Sequence, residues 1–105
     1  MASSTRAASA LETADQAQHT TPKVDAPDGH HWVVSYWSDK GSSTTSWTLP
    51  AGVERRAGVV GSGSGHTSAV LADSDGAVAS GSQGGLKATA DAAASAAVTF
   101  TLLVG

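Results

Sequence analysis

The sequence predicts an all-β fold, an antiparallel β-sandwich or jelly-roll-like domain, from three observations. The run from His31 to Lys40, His-Trp-Val-Val-Ser-Tyr-Trp-Ser-Asp-Lys, holds two of the three tryptophans and the only tyrosine. β-Branched and aromatic side chains at this density fit a pleated, half-buried surface. Gly61-Ser-Gly-Ser-Gly65 separates two strand-like runs and reads as a hairpin connection. The last residues alternate apolar side chains with threonine, the period of two that a half-buried strand requires.

At 105 residues the chain has room for one domain, and its 40% hydrophobic content is largely alanine, with a single phenylalanine, Phe100. Large core side chains are scarce, so the direction in which each one points matters. The formal net charge is -3, and the basic residues Arg6, Lys23, Lys40, Arg55, Arg56 and Lys87 are scattered rather than striped, which argues against nucleic acid as a partner. Cysteine is absent, so there is neither a disulfide framework nor a thiolate metal site. The N-terminal residues lack the apolar core of a signal peptide and no stretch approaches membrane-spanning length, so membrane insertion is not expected. If the domain is exported, its signal lies elsewhere or was removed. Without asparagine there is no N-glycosylation sequon.

Residues 1–18 are expected to be an N-terminal arm, disordered or a short helix, because Ser9-Ala-Leu-Glu12 fits a capping box but Leu11 is its only sizeable apolar residue. The β domain then covers residues 19–105. Pro22 makes His19 to Val24 an extended segment at an edge or strand end. Asp25 to His30 is a turn cluster reversing at Asp28-Gly29. Trp32 to Ser38 is the anchor strand. Period two puts Trp32, Val34 and Tyr36 on one face and Val33, Ser35 and Trp37 on the other. The first set is larger and is assigned to the core, with Trp37 outward or under a loop. Lys40 to Thr45 reads as a flexible polar loop, and Ser46 to Leu49 as a short strand closed by Pro50.

Val53 to Val60 and His66 to Asp73 are the two strands of the predicted hairpin. Asp73 to Gly76 reads as a turn and Gly81 to Gly85 as a loop. Leu86 to Ala90 is a strand, Asp91 to Ser95 a turn, and Ala96 to Val104 the last strand, with Val98, Phe100, Leu102 and Val104 inward and Thr99 and Thr101 outward.

The candidate ligand-binding residues are Trp37, Asp39, Lys40 and Trp47. The two tryptophans flank the Ser/Thr loop with a carboxylate and an ammonium beside them, and flat apolar rings next to polar groups bind sugar faces and other ligands. Against this stands a packing explanation, in which all three tryptophans are needed inside a chain so short of large apolar residues. The histidines His19, His30, His31 and His66 are expected at the surface. His30 and His31, adjacent on a strand, point to opposite faces and do not chelate together without a bend.

Asp73-Ser-Asp75-Gly76 opens like a calcium loop but lacks the third acidic position and the closing glutamate, so it reads as turn chemistry. The Gly/Ser turn lacks the lysine of a phosphate loop, and no nucleophile elbow or marked carboxylate pair occurs. No catalytic residue, metal or cofactor is assigned, and the chain is not expected to be an enzyme. Of the Arg55-Arg56 pair, one side chain is expected in solvent and the other along the sheet.

Thr20-Thr-Pro22, Trp32-Val-Val-Ser-Tyr-Trp37 with Asp39-Lys40, Trp47-Thr-Leu-Pro50, Gly61 to Gly65, Leu71-Ala-Asp73 and Gly85 to Asp91 together resemble the C-terminal half of a β-rich module of secreted actinobacterial proteins. Those proteins often carry PKD-type (immunoglobulin-like) repeats as well. The likeness covers about residues 19 to 104. It implies an extracellular or cell-surface setting within a larger secreted protein, and a non-catalytic role in adhesion or polysaccharide binding, but it supplies no site residues. The module's N-terminal half, with further strands and its own tryptophan, has no counterpart here. The resemblance therefore implies either a fragment or a sheet completed by self-association. The alternative role is that of a structural or assembly subunit, such as a surface or virion fibre component, acting by strand pairing or oligomerisation.

Overall fold

The computed structural model describes residues 6–41 and 43–105. Every regular element among them is a strand: β1 Ala7–Glu12, β2 Gln16–Thr20, β3 Lys23–Ala26, β4 Trp32–Gly41, β5 Trp47–Thr48, β6 Glu54–Val60, β7 His66–Asp73, β8 Gly81–Gly84, β9 Lys87–Ala94 and β10 Ala97–Val104. A five-stranded sheet runs in the order β1-β10-β4-β7-β6, antiparallel at every step. A second layer is built from β2-β9-β5 and the pair β3-β8. The result is the expected all-β, sandwich-like architecture, with β4, the aromatic run, in the middle of the larger sheet.

Between the layers lie two apolar clusters. One joins Trp37, Val70 and Ala72 of the large sheet to Trp47, Ala88 and Ala90 of the second layer; the other joins Val33 and Leu103 to Val24 and Ala26. The inward face of β4 is thus Val33, Ser35, Trp37 and Asp39, and that of β10 is Ala97, Thr99, Thr101 and Leu103. Both face assignments made from the sequence are reversed. Side-chain size favours Trp32, Val34 and Tyr36, but the hydroxyls decide otherwise. Thr99 Oγ1 donates to the Thr20 carbonyl at 3.0 Å and Thr101 Oγ1 to the Pro22 carbonyl at 2.6 Å. These inward threonines tie β10 to carbonyl groups of the facing layer.

Four further expectations are corrected. Residues 7–12 and 16–18 of the expected arm lie in strands: β1 pairs along β10 from Ala7↔Leu102 to Glu12↔Ala97, and β2, which runs on to Thr20, pairs with β9. Residues 1–5 of that arm lie outside the described residues. Ladder hydrogen bonds at the β10 edge outweigh a helix that has only Leu11 to bury. Gly81 to Gly84, read as loop, is strand β8, held by its register with β3 from Lys23↔Gly84 to Ala26↔Gly81. The strand ending at Ala90 continues as β9 to Ala94, so Asp91 lies within it. Lys40 and Gly41 extend β4, and the loop after them is pinned rather than free: Asp91 accepts from the Thr45 and Ser46 backbone N–H groups and from the Thr45 hydroxyl. The β6–β7 hairpin across Gly61 to Gly65 is present as predicted.

Candidate functional site on the outer sheet face

The four residues singled out in the sequence are split by the sandwich. Trp37 is fully buried and its indole N–H donates to the Leu86 carbonyl at 3.3 Å. Trp47, 6% exposed, donates to Ser68 Oγ at 3.1 Å. Asp39 is also buried, its two carboxylate oxygens accepting from Thr44 Oγ1 and Ser68 Oγ, each at 2.6 Å. Ser68 therefore links Trp47 to Asp39 inside the molecule, while Lys40 alone remains exposed. Neither buried indole has a free face for a ligand, and the packing explanation accounts for both. Trp32, the third tryptophan, is 41% exposed.

The histidines divide in the same way, correcting the expectation that all four lie at the surface. His19 is buried with its ring 5.7 Å from that of Trp47 and its Nδ1 3.3 Å from Glu12 Oε1, out of hydrogen-bond line. His31 is buried between Asp28 Oδ1, 3.0 Å from Nδ1, and the Arg6 guanidinium, 2.9 Å from Nε2. The Nδ1–H then donates to Asp28 and Nε2 accepts from Arg6, the arrangement of a neutral ring. Among the described residues no group of three or more histidines and carboxylates could hold a metal ion. The Asp73–Asp75 turn is filled by Arg56, whose guanidinium donates to Asp73 at 2.9 and 3.0 Å and to Asp75 at 2.8 Å. Those bonds hold the Asp73 carboxyl below its ordinary range and raise Arg56 further, the Asp73 bond contributing most to the latter.

What the inner layer gives up, the outer face of the large sheet gains. Register places Ser9, Phe100, Tyr36, Leu71 and Ala57 in one row across all five strands. Above and below run the rows Leu11, Val98, Ser38, Ala69, Val59 and Ala7, Leu102, Val34, Asp73, Glu54. Trp32 and Val104 pair at one end. Large apolar side chains stand open to solvent here, Leu11 at 70% and Val59 at 63% among them.

At the centre, Tyr36 and Phe100 stack with ring centroids 4.8 Å apart and planes 12° apart. That spacing is the distance between neighbouring strands, so the rings stand upright and turn their edges outward. The pair is a ridge with a shallow trough on each side. Tyr36, Ala57, Val59, Ala69 and Leu71 line one trough, of about 260 Å³, and Ala7, Ser9, Phe100 and Leu102 line the other. Sequence reasoning singles out Tyr36, Phe100 and Leu102 but places them in the core, and it assigns no face to Ala57, Val59, Ala69 or Leu71; the signal it lacks is the partner carbonyls that draw Thr99 and Thr101 inward. The chain matches no protein-family model, no curated protein and no solved structure.

Proposed function

We propose that the chain is a non-catalytic structural module that acts by association through the outer face of its five-stranded sheet. The observation that carries this is the continuous apolar face, drawn from all five strands and centred on the Tyr36–Phe100 ridge. A domain meant to face water on both sides alternates apolar and polar residues so that the solvent side is polar, and broad exposed apolar patches mark contact surfaces. Here the solvent side carries Val34, Tyr36, Val98, Phe100 and Leu102, while the inner side mixes Val33, Val70, Leu103 and two tryptophans with alanine, serine and threonine.

An extracellular or cell-surface setting, as the sequence resemblance implies, belongs to the same proposal: the face would join modules of a surface assembly. Polysaccharide binding has less support. Trp37 and Trp47 are inside, Tyr36 and Phe100 cover each other, and Ser38 on the same face is buried with its hydroxyl donating to the Val98 carbonyl. Of the charged groups on this face, Asp73 and Arg56 are already paired to each other.

The test pairs a hydrophobic dye, anilinonaphthalene sulfonate, with a glycan array. Expected are dye binding by the native, cooperatively unfolding chain at concentrations low enough that it sediments as a monomer, reduced in Val98→Ser and Leu71→Ser, and no glycan retained. A monomeric chain that binds no dye, or a glycan whose retention is lost in Trp32→Ala with the fold intact, contradicts the proposal.

A further inference from the structure

We infer that the occupant of the outer face is the same face of a second copy of this chain, packed ridge into trough. The inference rests on the association proposed above and adds the identity of the partner. Its basis is self-complementarity. The ridge stands on β10 and β4, and the trough lined by Ala57, Val59, Ala69 and Leu71 lies two strands away, on β7 and β6. Ridge and trough share one row of the register, Phe100↔Tyr36↔Leu71↔Ala57. A two-fold axis parallel to the strands, lying in the interface between β4 and β7, sets each copy's aromatic edges into the other's trough. This is an isologous contact, in which every residue pair occurs twice.

The trough is built for it. Small side chains at Ala57 and Ala69 leave the depression. Upright rings present edges that interdigitate with such a floor at the spacing of about 10 Å found between packed sheets.

The available area also fits. The axis between β4 and β7 sets β10 and β4 of one copy over β6 and β7 of the other and leaves β1 outside, so four strands at about 4.8 Å and eight residues at about 3.3 Å overlap over roughly 19 by 26 Å, or about 500 Å² per partner. Two copies bury about 1,000 Å², the area a biological interface must reach when its shapes are complementary. A nucleic acid or an anionic lipid surface fits less well, because the face's one arginine, Arg56, is paired to Asp73 and Asp75 and the chain is net acidic at -3.

Sedimentation equilibrium over a wide concentration range tests the inference on the wild type and two variants. Ala57→Trp fills the trough while keeping the face apolar, and Val59→Lys places a charge on its wall at a position already open to solvent. Expected is a wild-type dimer whose association each variant weakens by about tenfold or more, as for hot-spot contacts, with unfolding midpoints unchanged. A dimer that survives both variants puts the contact elsewhere and overturns the inference. A wild type that stays monomeric overturns it too. If that monomer still binds anilinonaphthalene sulfonate, the association proposal stands with another protein as partner; if it does not, both fall.

Discussion

Tyr36 and Phe100, on neighbouring strands β4 and β10, are directly opposed in register and stack with centroids 4.8 Å apart on the solvent side of the sheet. An aromatic pair of this kind contributes about 0.5–1.5 kcal/mol beyond its buried area. A double-mutant cycle with Tyr36→Leu and Phe100→Leu, read by chemical denaturation of dilute protein, is expected to return a coupling energy in that range. Additive losses would mean that the rings do not stabilise one another.

Trp37 and Trp32 sit on opposite faces of β4, one fully buried and the other 41% exposed. Trp37→Ala is expected to lower stability by about 3–5 kcal/mol, as for large aromatic truncations in a core. Trp32→Ala is expected to lower it by about 1 kcal/mol or less, in the range of surface substitutions. Equal losses in urea melts would contradict the face assignment.

His66 bridges two loops: its Nε2 lies 2.9 Å from the Thr44 carbonyl and its Nδ1 3.0 Å from the Gly63 carbonyl. Carbonyl oxygens only accept, so the doubly protonated ring alone donates to both, and its pKa is raised above 6.5, chiefly by Thr44 and then by Gly63. A folded pKa above the unfolded one contributes stability that is fully present below the unfolded value and disappears as pH rises through the folded value. The stability difference between wild type and His66→Leu should therefore shrink from pH 5 towards alkaline pH, at about the pKa seen by NMR titration. A difference independent of pH would contradict the bridge.

Asp91 behaves with the opposite sign. The Thr45 hydroxyl, then the Thr45 backbone N–H, hold its carboxyl down to about 2. A depressed pKa contributes stability present above the unfolded value and lost as pH falls through the folded one, so acid between about pH 4 and 2 should release Thr45 and Ser46. Amide exchange at those two residues is expected to accelerate in that window and to be fast at neutral pH in Asp91→Ala. Unchanged protection in the variant would contradict the account.

Local patterns in the sequence announce the anchor strand at Trp32, the Gly61 to Gly65 hairpin and the all-β class, because β-branched runs and turn glycines act over a few residues. The wrong faces of β4 and β10 have a non-local cause. Thr99 and Thr101 are inward because Thr20 and Pro22 lie across the sandwich with carbonyls to satisfy, and no periodicity records that. Strands β1 and β8 likewise exist through their partners β10 and β3; neither Ala7-Ala-Ser-Ala nor Gly81-Ser-Gln-Gly has the propensity to declare itself. The candidate site suffered from the same error. Trp37, Asp39 and Trp47 were singled out because they surround a polar loop, but Ser68, distant in sequence, gathers Asp39 and Trp47 into the interior.

The central claim, that the outer face of the large sheet meets the same face of a second copy, is tested most directly by isotope-filtered NOE spectroscopy on an equimolar mixture of ¹³C-labelled and unlabelled chain. Ring protons of Tyr36 and Phe100 in one copy are expected to show contacts to the Ala57 and Ala69 methyls of the other. Intermolecular contacts confined to other surfaces, or none at concentrations where the chain sediments as a dimer, would contradict it.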